Sequence, residues 1–289
     1  MVNNKFFDLI KHLLFVPKCV CCNTRLSPLT DGTSLTFGKR CFCSECEENW
    51  KRARAELCPN CSSPAETCGC IPKYFRKLQP EVPCFLFYHP REENLQSKVI
   101  LSMKRHYNAE LFDYMALELL PRLVKTLCKM GVEGEDCVFT WVPRKRAAIV
   151  KNGFDQGEML CRRVAAGFGK RATSTFLRFG GKEQKKLNAK NRTRNAEESI
   201  FLNSRSFAVK YLEDGSYTVP FLKDKTVVVV DDVLTTGATL RRAVTLLEEA
   251  GAARVVVACL AKTKGAVSNS GQDKKHEKTT ASDGLFSVN

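Results

Sequence analysis

Two adjacent carboxylates, Asp231 and Asp232, follow four consecutive valines, Val227 to Val230. After them comes a run of small and hydroxyl residues: Thr235, Thr236, Gly237, Ala238 and Thr239. Neighbouring like charges at the end of an apolar segment cost free energy unless something uses them. Vicinal sugar hydroxyls are such a user, because they donate hydrogen bonds that ionised carboxylates accept. The hydroxyl run suits a phosphate, which backbone N–H groups, threonine hydroxyls and the positive end of a helix dipole can surround together. A buried strand followed by a capped helix would explain the valines and one threonine, but not the acids. The stretch reads as a cradle for a phosphorylated sugar.

These residues need a scaffold, and the flanking sequence supplies one. Four β-branched apolar residues in a row fit a strand buried on both faces, as in the middle of a parallel sheet. The segment LRRAVTLLEEAG after Thr239 has helical spacing, with Leu240, Val244 and Leu247 on one face and Gly251 as its stop. Residues 254–260 (RVVVACL) and 137–142 (CVFTWV) read as further buried strands, and 84–90 (CFLFYHP) as another. A helix is expected from Glu92 to about Arg105, its apolar stripe ending at Lys104, and another from Ala109 to Lys129, kinked or restarted at Pro121. The 137–142 strand ends at Arg144, Lys145 and Arg146. Parallel strands in one sheet would bring these cations to the crevice that holds the acids, where a pyrophosphate would need them. Asn152-Gly153 reads as a turn, and a helix with Met159, Leu160 and Val164 buried begins near Phe154, with Gln156 able to face the crevice. Ser174 to Phe179 reads as a short strand and Tyr211 to Pro220 as a hairpin or loop. Residues 180–195 are Gly-led, polar and basic, with little to bury, and read as a mobile lid over the site.

The chain has 289 residues and 44% hydrophobic composition, enough for one large or two modest domains with a real core. Its net charge is +15, concentrated between Trp141 and Asn195, where fifteen Lys and Arg face three acids. Such a surface attracts polyanions, either nucleic acid or a multiply phosphorylated substrate. No apolar run approaches the roughly 18 residues of a membrane span. Residues 1–16 read as an amphipathic helix rather than a secretory signal, since Asp8, Lys11 and His12 interrupt its apolar patch. A cytoplasmic protein is expected. No GxxxxGK[ST] occurs, so P-loop chemistry is excluded. Residues 265–289 are polar and read as a disordered tail.

Ten of the fifteen cysteines fall between residues 19 and 70. Cys19-x-x-Cys22, Cys43-x-x-Cys46 and Cys58-x-x-Cys61 are knuckles that each present two thiolates to one tetrahedral Zn²⁺, and Cys68-x-Cys70 is a tighter pair. Taken in order they form two structural sites, Cys19, Cys22, Cys43, Cys46 and Cys58, Cys61, Cys68, Cys70. A cross-braced pairing, and competition from Cys21 and Cys41, stay open. With no secretory signal, metal is expected rather than disulfides. Four thiolates leave no open position for catalysis, and metal would supply much of the folding energy of so small a module.

Residues 227–239 resemble the phosphoribosyl pyrophosphate (PRPP) motif of type I phosphoribosyltransferases at all thirteen positions. The order of features along residues 15–263 resembles the ComF family of competence-associated proteins. Asn152-Gly153-Phe154-Asp155-Gln156 is similar to that family's Arg-Gly-Phe-Asn-Gln, with Asn152 and Asp155 as departures. Gln184, Leu187, Arg192, Asn195 and Phe201 match its downstream pattern, and Lys104 is the residue kept from a Leu-Lys-Tyr helix end. The resemblance implies an α/β fold: a type I phosphoribosyltransferase-like parallel sheet flanked by helices (82–264), with a small N-terminal double zinc ribbon (17–72). It implies structural Zn²⁺, PRPP with Mg²⁺, and a role in uptake of transforming DNA, with single-stranded DNA and a competence helicase as candidate partners. The implied PRPP site is Val230, Asp231, Asp232, Thr235, Thr236, Gly237, Ala238 and Thr239, joined by Arg144, Lys145, Arg146, Gln184 and Arg192, with Asp231 and Asp232 as the catalytic pair. The alternative is a true phosphoribosyltransferase that moves ribose 5-phosphate from PRPP to an acceptor and has no part in DNA uptake.

Overall fold

Four parallel strands in the order β1-β8-β7-β2 form the sheet that carries the motif. They are β1 (Leu86–Tyr88), β2 (Cys137–Trp141), β7 (Thr226–Leu234) and β8 (Arg254–Thr263). The computed structural model describes residues 17–26, 41–72, 75, 78, 81–89, 92–180, 196, 198–204, 208, 210–211 and 217–264. The expected N-terminal helix, the tail, and the lid residues 181–195 with Gln184 and Arg192 lie outside them.

β7 is the middle of the sheet for a simple reason. Its valines alternate between two faces, and both faces are covered. Val228 and Val230 join Phe139, Val256 and Ala258 in a core with Ile100 and Met103 of α2 (Leu95–Arg105), Leu111 and Leu119 of α3 (Ala109–Lys129), and Leu160 and Val164 of α5 (Gln156–Gly167). Val227 and Val229 join Val138, Val257 and Cys259 in a second core with Leu240, Val244 and Leu247 of α6 (Ala238–Glu249). Two short antiparallel pairs complete the sheets: β3 (Phe176–Arg178) with β4 (Ile200–Leu202), and β5 (Lys210–Tyr211) with β6 (Tyr217–Thr218). The architecture is α/β, a parallel sheet flanked by helices, as the motif predicts.

Three details differ from the expectations. The motif strand does not stop at the acids; Asp231 pairs with Cys259 and Val233 with Ala261, so β7 runs on to Leu234. α3 does not restart at Pro121, since one helix runs through it. The proline ring has no N–H to give to the carbonyl of Leu117, but Leu117 is 61% exposed, so water can serve that carbonyl. The Arg122 guanidinium also donates to the Glu118 carbonyl oxygen in the same turn. Finally, the cations after β2 begin a short helix, α4 (Arg146–Asn152), closed by Gly153 at φ 79°.

The cysteine-bearing residues pack against the β1 side of the sheet. α1 (Ser44–Arg54) lies on α2 and β1. Trp50, 1% exposed, stacks on Phe42 at 5.2 Å and meets Phe85 and Tyr114 edge-on or tilted. Arg54 pairs with Glu118 of α3 at 2.9 Å. Among the described residues no helix is long and apolar enough to cross a membrane.

Candidate functional site

At the carboxyl ends of β7 and β2 a cavity of about 370 Å³ opens. Its walls come from five places. Asp231 to Val233 and Thr235 to Leu240 supply the β7–α6 turn; Val142 and Arg144 follow β2. Gln156 starts α5, Lys104 ends α2, and Arg178 ends β3. Open α/β sheets bind ligands in this position, where strand order diverges from sequence order.

The phosphate-cradle half of the cavity is the turn into α6. Gly237 sits at its N-cap with φ 77°, and no side chain caps the helix, so the first-turn N–H groups are left for a ligand. Only glycine fits there. A Cβ at 237 would lie 3.2 Å from the Phe75 Cβ and 3.4 Å from Leu234 Cδ1. Phe75 and Leu234 are both fully buried.

The other half carries charge. Lys104 Nζ lies 2.7 Å from Asp232 Oδ2, and Gln156 Nε2 donates to the same oxygen at 3.0 Å. Asp232 Oδ1 accepts the Val233 N–H at 2.9 Å. Burial alone would raise the Asp232 carboxyl, but the Lys104 ammonium outweighs it and holds the carboxyl below its ordinary value. Burial likewise opposes the charge on Lys104, yet Asp232 keeps that ammonium's pKa raised. Asp231 is half-buried, and Asp231 Oδ1 accepts the Asp232 N–H at 2.8 Å. Burial, then the neighbouring Asp232 charge, push the Asp231 carboxyl well above the usual carboxylate range. The two acids are adjacent in sequence and opposite in electrostatics.

Arg144 is oriented by two bonds. Its guanidinium donates to the Lys104 carbonyl oxygen at 3.1 Å, and its backbone N–H donates to Asp155 Oδ2 at 2.9 Å. Asp155 Oδ1 accepts the Gly157 N–H at 3.0 Å and caps α5, which aims Gln156 into the cavity. Arg178 reaches the Pro143 carbonyl oxygen at 3.4 Å, while its Nε is buried without a partner among the described residues. Among the same residues Gln156 Oε1 is also buried without a partner. A lone buried acceptor costs free energy until a donor reaches it.

Of the residues singled out from sequence, Asp231, Asp232, Thr235, Thr236, Gly237, Ala238, Thr239 and Arg144 line the cavity together. Val230 is buried inside the sheet, and Lys145 and Arg146 begin α4 beside the cavity without lining it. Arg178 was not singled out. One cation among fifteen in a basic stretch carries no signal of its own; its pairing opposite Ile200 turns it inward.

The cysteines gather as two sequential quartets. Cys19, Cys22, Cys43 and Cys46 bring their sulfurs within 4.8 Å of one another, as do Cys58, Cys61, Cys68 and Cys70. A tetrahedral zinc with Zn–S near 2.3 Å needs sulfurs about 3.8 Å apart, so both sets fit one Zn²⁺ each. The cross-braced pairing is not the one the fold adopts, and Cys21 and Cys41 stand outside both sets. The knuckles share a design. The Asn23 N–H donates to the Cys19 carbonyl oxygen and the Ser62 N–H to that of Cys58, with Asn23 and Ser62 both at positive φ.

Comparison with known proteins agrees with this geometry. The family described as "Phosphoribosyl transferase domain" matches residues 189–285. Competence protein ComFC of Streptococcus pneumoniae is 25% identical over 245 residues, 81% of this chain and 95% of that protein. Over most of its length the chain is similar to the ComF family. A second relative is DNA utilization protein YhgH of Salmonella typhimurium, 27% identical over 236 residues, 77% of this chain and 90% of that protein.

Proposed function

We propose that this protein binds PRPP with Mg²⁺ in the 370 Å³ cavity and acts in natural competence, the uptake of transforming DNA. The observation that carries the first part is the pairing of an uncapped helix N-terminus with a carboxylate and three cations around one cavity. The 5′-phosphate sits on Thr235 to Thr239 and the N–H groups of α6. Asp231 takes the ribose hydroxyls. Gln156 Oε1 supplies the further acceptor that a hydroxyl can satisfy. Arg144 and Arg178 face the pyrophosphate, whose charge they balance. Mg²⁺ prefers oxygen ligands and keeps several waters. Asp231 offers such an oxygen toward the cavity, so Mg²⁺ would be held by the donor's phosphate oxygens with Asp231 beside them.

Titration calorimetry with Mg²⁺–PRPP tests this. Binding to the wild type and its loss in a D231N/D232N double variant are expected; no binding by the wild type would overturn the site assignment.

The competence role is supported by the likeness to a competence protein and to a DNA utilization protein. Single-stranded DNA and a competence helicase are the partners it brings, and the charge of residues 141–195 suits the first of them. Deleting the gene in a transformable host should lower transformation frequency, and DNA binding should weaken steeply with salt. A second reading, transfer of the ribose 5-phosphate to an acceptor, is favoured by Arg144 and Arg178, which are placed to stabilise departing pyrophosphate. Release of pyrophosphate from PRPP on adding an acceptor from a library of bases and amines decides for it.

A further inference from the structure

Lys104 occupies the position on the acidic pair that a cation brought by the substrate would otherwise take. Oδ2 of Asp232 is a saturated acceptor. Asp232 Oδ2 receives both Lys104 Nζ at 2.7 Å and Gln156 Nε2 at 3.0 Å, and Asp232 Oδ1 receives a backbone N–H. A carboxylate oxygen has about two lone-pair sites, so Oδ2 has none left for a metal or its water. The Lys104 side chain is 31% exposed and sits at the last turn of α2, while Asp232 beneath it is buried. Its backbone is pinned, because its carbonyl oxygen accepts from Arg144. Its four-carbon stem is partly exposed and has rotatable bonds throughout. The ammonium can therefore swing within the cavity while its anchor stays fixed.

We propose that Lys104 is a built-in counter-ion: it holds the cation position on Asp232 while the cavity is empty, and it passes to the pyrophosphate of the donor when Mg²⁺–PRPP enters. This rests on the PRPP reading of the site. The exchange conserves charge locally, since the ammonium leaves a carboxylate for a phosphate as the substrate's metal arrives. It also explains why two adjacent acids are kept in a dry place. Lys104 neutralises one of them, and only Asp231 carries the burden of the empty site. The opposed shifts of the two carboxyls agree with that division.

The consequence is a pair of effects with opposite signs. Replacing Lys104 by Met keeps the stem and removes the charge. It should free Asp232 for a bare divalent ion and remove a cation from the pyrophosphate. Mn²⁺ alone, followed by its electron paramagnetic resonance signal, should bind K104M about tenfold more tightly than wild type, and Mg²⁺–PRPP, by calorimetry, about tenfold more weakly. K104R should return both affinities toward wild type. A residue that only supports the fold would weaken both ligands, and that result, or no change in either, overturns the proposal. If wild type fails to bind Mg²⁺–PRPP, the PRPP reading falls, and the Mn²⁺ arm still decides for or against the counter-ion at Asp232. Should K104M not fold, the wild type gives the answer alone. The ¹⁵N resonance of the Lys104 ammonium, assigned with K104R, should shift when Mg²⁺–PRPP is added, and an unmoved resonance in the loaded protein overturns the transfer.

Discussion

Replacing Gly237 by Ala adds one methyl group and tests the cradle directly. Two costs follow from the geometry. Gly237 has φ 77°, a conformation that costs an L-residue about 1 to 2 kcal/mol. The new Cβ then meets Phe75 Cβ at 3.2 Å, Phe75 Cδ2 at 3.3 Å and Leu234 Cδ1 at 3.4 Å. These neighbours belong to fully buried side chains, so they can yield only by disturbing a packed core, which costs about 1 to 3 kcal/mol. Together G237A should lose roughly 2 to 5 kcal/mol. The control is Gly131, with φ 64° and nothing within 4 Å of its added Cβ. G131A meets the first cost alone, about 1 to 2 kcal/mol. Urea unfolding of the zinc-loaded protein measures both variants, and calorimetry measures Mg²⁺–PRPP affinity, which G237A should lose and G131A should keep. Equal destabilisation of the two variants would show that Phe75 gives way freely, and the steric account of the cradle would be wrong.

The acidic pair should part company on mutation. D232N breaks the pair with Lys104 and should destabilise the empty protein by about 1 to 3 kcal/mol, less than a fully buried pair because the Lys104 side chain is 31% exposed. D231N removes a carboxyl whose folded pKa is raised and should therefore increase the melting temperature at pH 7. The signs with pH follow by linkage. The Asp232 contribution is present above the unfolded carboxylate value and fades as pH falls through its lowered folded value, whereas the Asp231 penalty grows as pH rises through its raised folded value. Melting curves of both variants from about pH 2 to 8 check this, the acid end for Asp232 and the upper end for Asp231, and a lower melting temperature for D231N at pH 7 would contradict it. Metal analysis should find two zinc ions per chain, one per thiol quartet, with C46S losing one and C70S the other. Trp50→Ala should cost about 3 to 5 kcal/mol, because the ring is 1% exposed and stacked against Phe42; chemical unfolding measures it.

Much of the site could be read from residue order because β7 and its turn are local. Apolar run, acids, hydroxyls and helix lie within residues 226–249, and each constrains the next. The strand's continuation through the acids was not legible. Charge argues against a buried strand, and only the ladder to Cys259 and Ala261 overrides it. Gln156 could be expected to face the crevice and Lys104 to end its helix, but their meeting on one oxygen of Asp232 joins α2, α5 and β7, which no spacing encodes. α4 was missed because none of its seven residues is buried, so it has no apolar stripe to read.

The cysteine quartets and the sheet that carries the cavity are distant in sequence, yet three sets of contacts join the two regions. Phe75, five residues after Cys70, fills the space under Gly237 and so sets how close the phosphate turn can approach the core. Lys262 of β8 is 2% exposed and donates to the Cys68 carbonyl oxygen, so the backbone of the second quartet satisfies a charge inside the sheet layer. Glu56, between the quartets, takes both Lys264 and His89, from the ends of β8 and β1. A buried ammonium without its carbonyl would be costly, and a glycine turn without Phe75 would lose the surface that shapes it. The second quartet is therefore part of the cavity's foundation. Folding free energy that a Zn²⁺ would supply at Cys58, Cys61, Cys68 and Cys70 would reach the turn at Gly237 through Phe75 and the edge of the sheet through Lys262.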